Sequence, residues 1–310
     1  MHPKLDTMHN SKKINYILSH WRTLLWSTVR DTLSWLFVAV TLIGSLIAFL
    51  PNDEVDWLRN AISFSVCHLW LIILALLLTI LIAMLVNWPH TKAVYKDKNT
   101  DIHVIIECCD IFHQNGLKVI HVVDTFDTEL DRIISPRTLH GAFLQYCADK
   151  HVDIDAILDK ELIANKPLST DDKLPGRTNQ YPLGTVCPVE IQNDRFCCVA
   201  FTHLKPNGTI AITKDEYVRC LKKMWRNLAA ARNRSKVINV AVMGNRFVDL
   251  PAEFSTEQKI DLMIQTFFAM AREKACCRTL RICIHPDNVT DIDFAAYPTI
   301  IAHLAKRPII

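Results

Sequence analysis

Two long apolar runs near the N-terminus, Thr32 to Leu50 and Ala61 to Trp88, contain no Asp, Glu, Lys or Arg, and about 200 polar-patterned residues follow them. A hydrocarbon core of about 30 Å needs about 20 residues of helix at about 1.5 Å each, so either run is long enough to cross one. Hiding them inside a globular protein would need an unusually large core. The pair is therefore expected to form a transmembrane hairpin over 32–88, with a cytoplasmic N-terminal segment over 1–31 and a ligand-binding domain over 89–310.

The distribution of cations gives the expected orientation. Lys4, Lys12, Lys13, Arg22 and Arg30 precede the first run and Lys92, Lys96 and Lys98 follow the second, whereas Pro51 to Asn60 holds Arg59 against Asp53, Glu54 and Asp56. Cations favour the cytoplasmic side, which predicts a multi-pass protein of the cell inner membrane with both termini cytoplasmic. Trp57 and Trp88 then fall at the two interfaces, and Pro89 ends the second helix. Ahead of the first run, Ile14, Ile17, Leu18, Trp21, Leu24 and Leu25 keep helical spacing. That segment can lie in the headgroup plane or pack on a protein surface. Ser34, Thr41, Gly44 and Ser45 are small enough to permit close helix contact.

The remaining 220 or so residues suffice for one α/β domain. A formal charge of +3 gives no argument for nucleic acid, and no basic stretch alternates with aromatics. Of the eleven cysteines, Cys108-Cys109, Cys197-Cys198 and Cys276-Cys277 are adjacent pairs. Neighbours in a strand point to opposite faces, which is poor geometry for one metal, and buried reduced thiols are expected.

Apolar, β-branched runs at His103 to Ile106, Lys118 to Val123, Phe196 to Phe201, Val237 to Met243 and Thr279 to Ile284 predict buried strands. Thr213 with Glu216, and Ser255 with Gln258, have capping-box spacing and open two amphipathic helices. Strands alternating with helices indicate a layered α/β sheet. The first of those helices, with the turn after it, carries Arg219, Lys222, Lys223, Arg226, Arg232, Arg234 and Lys236, a face for anionic lipid or a partner, or simply a solvated one. Residues 149 to 195, polar around a short helical pattern from Asp153 to Ile163, read as an insertion or mobile cover over the sheet.

In such a sheet ligands gather beyond the carboxyl ends of the strands. After the first strand comes Asp110-Ile111-Phe112, whose carboxylate can accept from an exocyclic amino group or cap a helix. After the second comes Asp124-Thr125-Phe126-Asp127-Thr128, suited to ribose hydroxyls with Phe126 as a packing surface, or to a capped turn. Gly184 and Thr185 precede the third strand; Gly244, Asn245, Arg246 and Phe247 close and follow the fourth. With only seven glycines in the chain, Gly184 and Gly244 at these positions suit close approach to a diphosphate, and Arg246 can pair with it. His140 beside Gly141 is the histidine nearest these loops, as a packed or a catalytic residue. No nucleophile with a paired base, no GxxxxGK[ST] and no HExxH occurs. The pattern suits a binding site rather than an active site.

The order of Asp110-Ile111-Phe112, the Val122 to Thr128 loop, Ser135 to Gly141, Tyr181 to Thr185 and Gly244 to Phe247 resembles the macro domain of Thoeris antiphage effectors. With the apolar runs ahead of it, the chain resembles the membrane-anchored type II effector. The resemblance implies a macro-like domain with a layered mixed sheet and a sensor of an ADP-ribose-derived second messenger, histidine-ADP-ribose, made by a TIR-domain partner. Ligand would then drive a homo-oligomer that harms the membrane, with lipid as a further partner. By position it implies Asp110 at the adenine, 124–128 at the distal ribose and its substituent, and Gly184, Thr185 and 244–247 at the diphosphate. Asp124 and Asp127 depart from the asparagine-bearing loop common in macro domains, which tells against hydrolysis and fits an amino-bearing ligand. A membrane-tethered ADP-ribosyl hydrolase is the competing reading.

Overall fold

The computed structural model describes residues 21–48, 69–86, 91–170, 176–205, 210–230, 235–244, 254–285, 289 and 292–306. The chain divides into two compact units, Met1–His90 and Thr91–Ile310.

In the first unit, helix α1 runs over Trp21–Ala48 and α2 over Leu69–Val86, packed against one another. Where the segment before Thr32 is described, from Trp21, it is the first part of α1. Arg22, Arg30 and Asp31 lie in the first part of α1. Among the described residues no helix is long and apolar enough to cross a membrane. That finding overturns the expected inner-membrane, multi-pass placement; residues 49–68 and 87–88 of the expected hairpin over 32–88 lie outside the described residues. Residues 1–20, the connection Pro51 to Asn60 with Trp57, and Trp88 and Pro89 lie outside the described residues. Ser34, Thr41 and Ser45 donate their hydroxyls back to the carbonyls of Arg30, Phe37 and Thr41, the usual way for such side chains to be satisfied within a helix.

The second unit is built on strands β1 (Lys92–Lys96), β2 (His103–Cys108), β3 (Leu117–Val123), β4 (Ser169–Thr170), β5 (Asn179–Gln180), β6 (Val186–Ile191), β7 (Asp194–Leu204), β8 (Ile210–Ala211), β9 (Val237–Ala241) and β10 (Thr279–Ile284). Its helices are α3 (Leu139–Asp149), α4 (Ile154–Leu162), α5 (Lys214–Ala230), α6 (Thr256–Lys274) and α7 (Tyr297–Leu304). The main sheet has the order β1-β2-β10-β9-β3-β7-β6, with β8 paired to β7. β2, β10, β9, β3 and β7 are parallel, while β1 and β6 run antiparallel at the two edges. The sheet is layered and mixed, as expected.

The parallel strands are apolar on both faces because helices cover both. On one face Ile120, Val122, Phe196 and Cys198 pack with Phe143 and Leu144 of α3 and Leu158 of α4. On the other, Phe201 meets Tyr217 of α5 edge-on at 5.4 Å, and Trp225 meets Phe267 of α6 at 5.4 Å. Trp225 Nε1 donates to Thr266 Oγ1 at 3.0 Å, so the one polar atom of a fully buried indole is satisfied. Both expected capping boxes form. Ser255 and Gln258 exchange side-chain and backbone bonds at the start of α6, and Thr213 and Glu216 do so at α5. The ten cysteines among the described residues are buried. Burial pushes the thiols of Cys187, Cys197 and Cys220 up to about 12, so they are protonated and inert.

Candidate functional site

All five parallel strands point the same way, so their carboxyl ends, at Cys108, Ile284, Ala241, Val123 and Leu204, share one rim of the sheet. Cys109, Ile111 and Cys283 bury together, with Phe112, Leu139 and Ala241 packed against them. This cluster brings the turn after β2, the ends of β9 and β10 and the first residue of α3 to one place. Asp110 and the start of α3 therefore face a common region, although they are far apart in sequence.

Asp110 caps the short 3-10 turn Ile111–His113. Its Oδ1 accepts from the Phe112 amide at 2.9 Å and its Oδ2 lies 3.0 Å from His113 Nδ1. The carboxylate keeps about a quarter of its surface in solvent. Ile111 is buried, and Phe112 stacks on Tyr146 at 5.7 Å, which fixes the turn on α3.

The loop after β3 is organised differently. Asp124 and Asp127 are each 1% exposed. Asp124 Oδ1 accepts from the Leu204 amide at 3.0 Å, and its Oδ2 from His203 Nδ1 at 2.7 Å and from Gln180 Nε2 at 3.4 Å. Asp127 accepts from the amides of Glu129 at 2.9 Å and Arg177 at 2.8 Å. Both carboxylates tie the loop to the rest of the domain. The carboxylate of Asp124 raises the pKa of His203, whose Nε2 also lies 3.7 Å from Glu216.

Phe126 has φ +50, a left-handed conformation that bulky residues rarely adopt. It is held there by burial against Tyr181, with ring centroids 5.6 Å apart, so it belongs to the core and offers no face for stacking. Thr125 is 1% exposed, and its hydroxyl is a buried group without a hydrogen-bond partner. Thr128 Oγ1 donates to Asp155 at 2.7 Å, and Arg177 bridges Asp155 and Asp159 of α4. The expected cover over 149–195 is thus pinned to the 124–128 loop where it is described.

Thr138 caps α3 by accepting from the Gly141 amide at 2.9 Å. A Cβ on Gly141 would sit 2.2 Å from the Ser135 carbonyl oxygen, so only glycine lets the 135–136 turn lie on the helix. His140 is buried, bonds the Asp127 backbone, and is driven down to about 3 by that burial, with His121 adding to the effect. His121 Nδ1 is buried without a partner, and its desolvation brings this ring to about 4. Both rings are neutral, which makes His140 a packed residue.

Gly184 and Thr185 lie between Tyr181 and the start of β6. A Cβ at Gly184, where φ is +81, would meet Lys223 Cβ at 2.8 Å, and the Gly184 carbonyl accepts from Asn227 Nδ2 at 2.8 Å. Thr185 donates to the Pro182 carbonyl at 2.7 Å. Gly184 lets α5 pack closely onto the sheet. Gly244 has φ +80 and ends β9 in a turn, its carbonyl accepting from the buried Lys259 amine at 3.0 Å. Burial lowers the Lys259 pKa. Asn245, Arg246 and Phe247 lie outside the described residues.

His203, Gln180 and Arg177 are the rim residues that the sequence does not single out. The strand expected to end at Phe201 continues to Leu204, and that extension carries His203 to the crest.

A mixed, helix-covered sheet whose carboxyl-end rim is framed by an aspartate-capped turn, a buried acidic loop and a helix start defines a macro-type α/β domain. The family model described as "Thoeris protein ThsA, Macro domain" matches residues 104–285, more than half of the 310. The chain belongs to that family. Among curated proteins, none matches it by sequence. Solved structures similar to it include the Oceanobacillus iheyensis macrodomain with MES bound, at 12% identity over 69% of this chain and 97% of that one, with a TM-score of 0.42. The same macrodomain with ADP gives 12%, 69%, 98% and 0.42. A tomato leucine aminopeptidase gives 12% over 68% of this chain and 37% of that one, with 0.41.

Proposed function

We propose that the chain is an antiphage defence effector whose macro domain senses an ADP-ribose-derived second messenger. Family membership supports the defence role and an ADP-ribose-type ligand. Histidine-ADP-ribose made by a TIR-domain partner is the messenger we assign to it. The observation that carries sensing over hydrolysis is the burial of both loop carboxylates, with Asp124 and Asp127 each 1% exposed and each accepting two or more internal hydrogen bonds. A nucleophile or general base must reach the substrate, and these two do not.

Ligand binding then favours a homo-oligomer, provided that the assembled form binds ligand more tightly than the free one. Leu25, Trp26, Leu33, Trp35 and Phe37 on α1, with Leu77, Leu81 and Leu85 on α2, are exposed apolar side chains that a second copy would cover.

The test is isothermal titration of the full chain with ADP-ribose and with histidine-ADP-ribose, followed by assay of the same samples for breakdown products. Tight binding of the conjugate with intact ligand supports the sensor. Turnover would replace it with an ADP-ribosyl hydrolase, and silence with both ligands would remove the ligand assignment.

A further inference from the structure

Four contacts join end to end across the first edge of the sheet. The Asp110 carbonyl accepts from Gln114 Nε2 at 3.2 Å. Gln114 Oε1 accepts from an Arg281 terminal nitrogen at 2.8 Å, and the same nitrogen donates to Asn239 Oδ1 at 3.2 Å. Arg281 Nε lies 3.5 Å from Glu107 Oε2, and that oxygen lies 3.6 Å from Lys92 Nζ. Asn239 is fully buried and held in place by donating to the Asn115 carbonyl at 2.9 Å. Beside this path the Cys108 amide donates to the Thr91 carbonyl at 3.0 Å.

The register makes the path short. β1 is antiparallel to β2 with Lys92 opposite Glu107, so the chain enters the domain at the same rim as the Asp110 turn. Thr91 opens the second unit, directly after the last residue of the unit that holds α1 and α2. A guanidinium can hold two partners at once through its planar fork, which an ammonium cannot do with the same geometry.

We propose that Arg281 is a positioning residue that sets the Asp110 turn through Gln114 and links that turn to the entry strand Lys92–Lys96 through Glu107. Occupancy of the rim is thereby conveyed to the strand that leads to α1 and α2. The inference rests on the ligand reading above and adds its regulation. The linked element is an edge strand with one neighbour, the kind of element that changes its local stability most readily.

The experiment uses the full chain and ADP-ribose, with affinity read by calorimetry and backbone protection by hydrogen exchange. In the unaltered protein, ligand slows exchange in 92–96 and leaves the opposite edge strand, 186–191, unchanged. In Arg281→Met and Gln114→Ala, the dissociation constant rises about tenfold, as expected for loss of a hydrogen bond to a charged group, and the response at 92–96 disappears. Arg281→Lys restores one of these two readouts and not both. Binding within about twofold of the unaltered protein with an intact response at 92–96 overturns the link and leaves the ligand reading standing. Equal slowing at 92–96 and 186–191 in the unaltered protein also overturns it, because that is global tightening. If the unaltered protein does not bind ADP-ribose or its histidine conjugate, the ligand reading fails first. Gln114 is half-buried on a surface turn, so its alanine variant decides the matter if Arg281→Met does not fold.

Discussion

Two turns at the same rim, each led by aspartate, have opposite characters. Asp110 is partly exposed and caps its own three-residue turn, whereas Asp124 and Asp127 are buried and joined to residues remote in sequence. An acid after a strand is thus no sufficient sign of a ligand contact. What separates the two is the number of internal donors reaching the carboxylate. Asp110 retains room for an outside donor, and the Asp124–Asp127 loop is a scaffold on which the rim is built.

The contrast can be broken by mutation. Asp124→Ala leaves His203, the Leu204 amide and Gln180 without their acceptor, and stability should fall by about 3–5 kcal/mol, as when one partner of a buried charged pair is removed. Urea denaturation of the full chain measures it. Asp127→Ala strips the Glu129 and Arg177 amides and should cost about 2–3 kcal/mol, with faster proteolysis of the 149–195 region as the second readout. Near-zero losses in both would place these carboxylates outside the scaffold.

The histidines sharpen the contrast through pH. His203 has a raised folded pKa, so its contribution to stability is full below the ordinary value of 6.5 and is lost as pH climbs through the folded pKa. His121 and His140, lowered to about 4 and about 3, contribute in the opposite sense. Their contribution is complete above 6.5 and lost as pH falls from there toward those values. His203→Gln should flatten the alkaline side of the stability profile, and His140→Gln the acidic side. Both are read from denaturation midpoints across pH 5–9.

The smallest expected stability change is at Asp110. Asp110→Ala removes one cap and should cost about 1 kcal/mol, yet lower the affinity for ADP-ribose several-fold. If affinity is unchanged, the turn is a cap alone.

Much of the fold was legible because burial on both faces leaves a plain record. All five β-branched runs are strands, and the reciprocal Thr213/Glu216 and Ser255/Gln258 spacings mark true helix starts. β1 was hidden by the lysines at its two ends, and β6 by Pro188 and Glu190, residues that suit an edge strand and blur its pattern. α3 was missed because Gly141 stands in its first turns for the sake of the 135–136 contact. The function of Asp124 could not be read locally, since its principal partner His203 lies 79 residues further on. The packing demand on Gly184 is equally invisible in the local sequence, as the neighbour that requires a glycine there, Lys223, belongs to a distant helix.

The most direct test of the account is the position of bound ADP-ribose in a crystal structure of the full chain. The account places it across the carboxyl ends of the parallel strands, between the Asp110 turn and the start of α3, with Asp124 and Asp127 still engaged internally. Density instead in the cleft of about 290 Å³ lined by Tyr95, Ile102, Phe268 and Arg272, at the opposite end of the sheet, would contradict it.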